Sequence, residues 1–171
     1  MTEPIVPPEA LDALLAESAG PYLRTYVAAR LAEAGGDARS LDAVLEELYV
    51  GLLACDAFVS QGEVRGVFTR LYALVDAALP HLLRPALRRP ADPALQERAR
   101  RFVALVAEQW HGGHAAHLAA LQALPARERE AVLLRDFHAL SMHEIAQRLG
   151  LEREVARALV TTARDRARAA G

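Results

Sequence analysis

Apolar residues recur along this chain at helical spacing almost throughout. Leu11, Leu14 and Leu15 make a first short stripe behind Pro7-Pro8, and Gly20-Pro21 breaks it. Leu23, Val27 and Leu31 follow at intervals of four and end at Gly35-Gly36. Asp37 or Ser40 can cap the next helix, where Leu41, Val44, Leu45, Leu48, Leu52 and Leu53 run to about Cys55. Residues 56–62 read as a loop. Val64, Val67, Leu71, Leu74 and Val75 mark a helix over about 63–79. Pro80, Pro85, Pro90 and Pro93 then forbid a long helix, so 83–93 is expected to be a linker. A helix from Pro93 to Trp110 follows, with Gly112-Gly113 expected to end it.

The signals are sharper towards the end of the chain. One helix is expected over 114–123, a turn at Leu124-Pro125, and another helix from there to about His138. Ser141-Met142-His143-Glu144 has the form of a capping box, in which the hydroxyl takes a backbone N–H and the carboxylate reaches back to the cap. Its helix is short, because Gly150 permits the positive φ of a tight turn. A final helix is expected over 152–169. Ile145 and Leu149 should pack inward, with Ala146 small enough for two helices to cross closely. A short helix, a glycine turn and a longer helix is the layout of a helix-turn-helix. Val, Ile, Thr and Tyr never gather into alternating runs, so the expected class is all-α. Two small helical domains are expected, 1–82 and 94–171.

Composition adds limits. The chain has 171 residues, 53% of them hydrophobic but only 5% aromatic, which suits helices of Ala and Leu and a real core. The net charge of −2 builds in no general attraction to nucleic acid or anionic membrane. Its distribution is uneven: residues 1–60 hold ten acids against Arg24, Arg30 and Arg39, whereas 84–101 hold six arginines against Asp92 and Glu97. Those arginines (Arg84, Arg88, Arg89, Arg98, Arg100 and Arg101) could grip nucleic acid or an acidic partner, or form a solvated linker. The single cysteine, Cys55, cannot make an internal disulfide, in keeping with a reducing compartment. The acidic, proline-bearing first twenty residues are unlike a signal peptide. Asp76, Pro80 and Arg84 interrupt the best apolar run short of the ~18 residues of a membrane span. A cytoplasmic protein with no membrane partner is expected.

His111, His114 and His117 invite a metal reading, but a closed zinc site needs a fourth ligand and Cys55 is far along the chain; solvated histidines are expected instead. Trp110 is expected to be a core or interface anchor. No nucleophile–base pairing, phosphate-cradling loop or paired carboxylate stands out, so no enzyme, cofactor or small-molecule substrate is expected.

The stretch Leu121 to Arg135 (LQALPAREREAVLLR) with Leu140 to Gly150 (LSMHEIAQRLG) resembles the fourth conserved region of extracytoplasmic-function sigma factors, of the sigma-70 superfamily. The resemblance implies a helix-turn-helix built on Ser141, Glu144, Ile145, Ala146, Leu149 and Gly150. It also implies a groove-entering helix in which Arg153, Arg157, Thr161, Arg164 and Arg168 would face promoter DNA. Leu159 and Thr162 stand where that family usually has basic residues, and Glu152 and Glu154 put negative charge at the groove-facing end. Residues Asp37 to Tyr49 are similar to the helix of the second region that docks on RNA polymerase. That implies a partner surface of Asp37, Leu41, Asp42, Leu45, Glu46 and Tyr49. Val67, Leu74 and Ala78 fall where the family has groups that capture single-stranded bases.

Gly20 to Tyr26, Gly36-Asp37-Ala38 and Leu45 to Leu48 look like the sigma-like domain of PhyR-type response regulators, which sequester an anti-sigma factor in stress response. The resemblances together imply a transcription regulator acting mainly through contacts with RNA polymerase core or an anti-sigma factor. An active sigma factor binding promoter DNA and a helical interaction module without transcriptional role are the alternatives.

Overall fold

A computed structural model describes residues 8–53, 64–84 and 92–170. Among them the chain is all-α. The helices are α1 (Pro8–Ser18), α2 (Gly20–Glu33), α3 (Leu41–Leu53), α4 (Val64–Leu82), α5 (Pro93–Gln109), α6 (Gly112–Ala123), α7 (Ala126–Asp136), α8 (Met142–Leu149) and α9 (Arg153–Ala170). The 56–62 loop and most of the 83–93 linker lie outside the described residues.

Local chemistry sets most of the ends. Pro21 in the first turn of α2 needs no N–H partner there. Gly35, at φ 72°, closes that helix while Gly36 N–H donates to the Leu31 carbonyl at 2.9 Å. Asp37 caps a single 3₁₀ turn, Ala38–Ser40, by accepting from Arg39 N–H, and α3 follows directly. Asp92 caps α5 by accepting from Ala94 N–H at 2.8 Å.

Two boundaries differ from expectation. Pro80 does not stop α4, which runs on to Leu82; so near the C-terminus its missing N–H removes a single late bond, and the Leu83 and Arg84 N–H groups still donate to the carbonyls of Leu79 and His81 on either side of it. Gly112 and Gly113 do not end α5 but begin α6, because Trp110 and His111 have already turned extended.

The main core is built around α2. Leu23, Val27 and Leu31 are buried as the spacing predicts, but so are Thr25, Tyr26, Ala28 and Ala29, so the helix is enclosed on nearly all sides. Helices α1, α3, α4 and α5 pack round it, and α6 lies between α2 and α9. Helix α5, which the pattern grouped with the rear of the chain, packs on α1, α2 and α3. Leu14 of the first stripe points outward, 56% exposed. No helix of the described residues is long and apolar enough to cross a membrane.

Candidate nucleic-acid or protein interface

The rear of the chain forms a unit with its own small core. Ala131 and Leu134 of α7, Ile145 and Ala146 of α8, and Ala156 and Val160 of α9 are buried together, with Leu149, Leu151 and Leu159 packed around them. Ile145 is fully buried, and Ala146, with only a methyl group, sits at 4% exposure where α8 meets its neighbours.

The turn is held at both ends. Ser141 Oγ accepts from Glu144 N–H at 3.3 Å and Glu144 Oε2 accepts from Ser141 N–H at 2.7 Å. These bonds hold the exposed Glu144 carboxyl below its ordinary range. At the other end Gly150 sits at φ 63°, and Leu151 N–H donates back to the Ala146 carbonyl at 2.8 Å. Arg127 donates to the Leu149 carbonyl and Arg135 to that of Leu140, tying both ends of α8 to α7.

Ala156, Val160 and Ala163 turn the opposite face of α9 outward. Arg153, Glu154, Val155, Arg157, Ala158, Thr161 and Thr162 are exposed there. Three of the four arginines expected to face DNA are already engaged. Arg157 pairs with Glu154 at 3.2 Å and Arg168 with Asp165 at 3.6 Å. Arg164 is held by Asp136, whose carboxylate raises the already high guanidinium pKa. Arg166 pairs with Glu128 at 3.0 Å. Thr161 donates to the Arg157 carbonyl within its own helix. Leu159 packs against the small core.

The front residues do not gather into one exposed surface. Leu45 is 2% exposed, and Tyr49 stacks on Phe102 at 3.8 Å between ring centroids while its hydroxyl donates to Asp12. Burial, with the Asp12 carboxylate beside it, pushes the Tyr49 phenol up. Leu41 is half-buried against the core, Asp42 pairs with Arg24 at 2.6 Å, and Glu46 lies 3.9 Å from Arg100. Asp37 is spent on its cap. The resemblance implies a docking helix here, but α5 covers the apolar side of α3.

The basic stretch and the acidic front also meet each other. Arg98 grips Asp12 through two bonds, at 2.6 and 2.8 Å. Trp110 is half-buried, with the Arg24 guanidinium 5.6 Å from its ring. His111 N–H donates to His114 Nδ1, and among the described residues no cluster of three or more possible ligands forms a metal site.

Sequence reading missed a polar cluster where the rear unit meets the front. Arg30 of α2 donates to Glu33, Asp76 and Glu130, and also to the Tyr26 hydroxyl. Arg129 of α7 pairs with Glu33 at 2.6 Å. The Tyr26 hydroxyl donates to Asp76 at 2.7 Å, and buried His138 places Nε2 at 2.6 Å from that hydroxyl and 3.2 Å from Asp76 Oδ2. With the hydroxyl proton given to Asp76, Nε2 must carry its own hydrogen to face two oxygens. Burial alone would push the Asp76 carboxyl up; the bonds from His138 and Tyr26 and the Arg30 charge outweigh it and hold the carboxyl low. Apart from Arg30 with Tyr26 and Glu33 on its own helix, the bonded partners lie 46 to 112 positions apart, so no local pattern announces them.

The geometry of α7, α8 and α9 defines a helix-turn-helix domain. Residues 120–169 match the family Sigma-70, region 4, so the chain carries a domain of sigma region-four type. No curated protein and no solved structure matches the chain.

Proposed function

We propose that this chain is a sigma-factor-like transcription regulator acting in initiation mainly through protein contacts, with RNA polymerase core or an anti-sigma factor. The region-four match supports the class. The carboxylate partners of Arg157, Arg164 and Arg168 carry the choice of mechanism. A phosphate would have to displace each of them, and Glu152 and Glu154 stand at the end of α9 that would enter a groove. Affinity for duplex DNA rests largely on phosphates neutralised by free basic side chains. Here that supply is mostly committed, while an exposed Val155 on the same face offers apolar contact to a protein.

The experiment is a paired binding measurement on the full chain. Titration with core polymerase and with an anti-sigma protein is expected to give a saturable complex with one of them. Labelled promoter duplex should show negligible binding at moderate salt. Tight duplex binding that falls steeply with salt, with promoter-specific initiation, would instead establish an active sigma factor. Retention of neither protein would leave a helical interaction module.

A further inference from the structure

We propose that Phe137 and His138 are the plug, and Arg30 the hub, of a conformational latch holding the helix-turn-helix unit in one position on the front half, from which it can part as a folded body. Phe137 and His138 follow α7 directly and sit immediately before the turn into α8. Phe137 lies 5.2 Å from the Tyr26 ring and 5.3 Å from the Tyr72 ring, so α2 and α4 supply an aromatic socket. The polar tip of the plug, His138, meets Tyr26 and Asp76 at the base of that socket. Beside it Arg30 ties Asp76 and Glu33 of the front half to Glu130 of α7, and Arg129 returns a bond to Glu33.

Three features make this a releasable contact. The rear unit keeps its own core, from Ala131 to Val160, which contains no front-half residue. Helix packing between the halves runs through α6, which lies against α2 on one side and α9 on the other and can serve as the pivot. Beyond α6 and the apolar contact of Phe137 and its neighbours with the main core, the polar part of the attachment depends on one arginine shared among three carboxylates. Withdrawing Arg30 leaves Glu33, Asp76 and Glu130 facing one another with only Arg129 to offset them, and like charges at low solvation push apart. The side chains are 13% to 30% exposed, so salt should screen the hub only weakly and substitution is the cleaner lever.

The proposal concerns where the unit sits and not what it binds, so it stands or falls separately from the function proposed above. Spin labels at Ala43→Cys and Ala158→Cys, both exposed positions, in a Cys55→Ser background would report the distance between α3 and α9. The otherwise unchanged chain should give one narrow distance distribution. Arg30→Met should broaden it and shift it to longer distances with helicity retained. Glu130→Ala, which removes only the rear unit's share and leaves Arg30 its front-half partners, should do the same to a smaller extent. An unchanged narrow distribution in both variants would overturn the latch. So would a general loss of helicity in both, because the unit would then not part as a folded body.

Discussion

At the residue scale the most consequential positions are those with one chemical task. Ser141 caps α8, and Ser141→Ala should cost about 1 kcal/mol. Gly150→Ala meets no atom within 4 Å, so its cost comes from the positive φ alone, roughly 1–2 kcal/mol. Both losses should appear as a lower denaturation midpoint with an unchanged slope in urea. Three tyrosines give a pH signature. Burial pushes the phenols of Tyr26, Tyr49 and Tyr72 above their ordinary value, which for Tyr26 and Tyr49 a neighbouring carboxylate reinforces. Above about 10 the unfolded chain therefore releases protons that the folded chain keeps, and stability falls as pH rises. An alkaline absorbance titration should show these phenols ionising only as helicity is lost. Asp76 works in the opposite sense: its lowered carboxyl stabilises the fold above its unfolded value of about 3.9, and that contribution goes as pH falls through the folded value.

At the element scale α9 is the informative helix. Its inward spacing of Ala156, Val160 and Ala163 fixes which side is free, and its intrahelical pairs fix the charge of that side. Reversing the two acids, Glu152→Arg with Glu154→Arg, frees Arg157 and adds cations at the groove-facing end. The double variant should acquire duplex binding, with a salt slope steeper by about one for each phosphate gained, measured by fluorescence anisotropy across a salt series. If binding stays negligible, something other than charge keeps α9 from DNA. Helix α3 teaches the converse. Its polar and apolar periodicity is legible, yet the resemblance assigns Leu45 and Tyr49 to a docking face where the structure gives them to the core. Only the position of α5 decides between them.

At the scale of the whole molecule, one core joins both halves while a second belongs to the rear unit alone. Phe137→Ala removes an aromatic ring that is 6% exposed and packed between Tyr26 and Tyr72, a loss of about 3–5 kcal/mol. That loss falls on the seam and not on the small core. Calorimetry should therefore show the single unfolding transition of the unchanged chain separating into two, the later one belonging to the helix-turn-helix. One transition merely shifted to lower temperature would mean the two cores remain thermally coupled without the plug.

The sequence by itself determined the helical class, the capping box, the Gly150 turn and the region-four character of the rear. Each is written in neighbours a few positions apart, where backbone geometry and hydrogen-bond chemistry act locally. Only the tertiary structure decided that Tyr49 is core, that Arg98 answers Asp12, and that Arg30, Asp76, Glu130 and His138 meet. Charged and aromatic side chains are equally at home on a surface or in a satisfied interior. Which of these they do depends on partners that packing, not spacing along the chain, brings within reach.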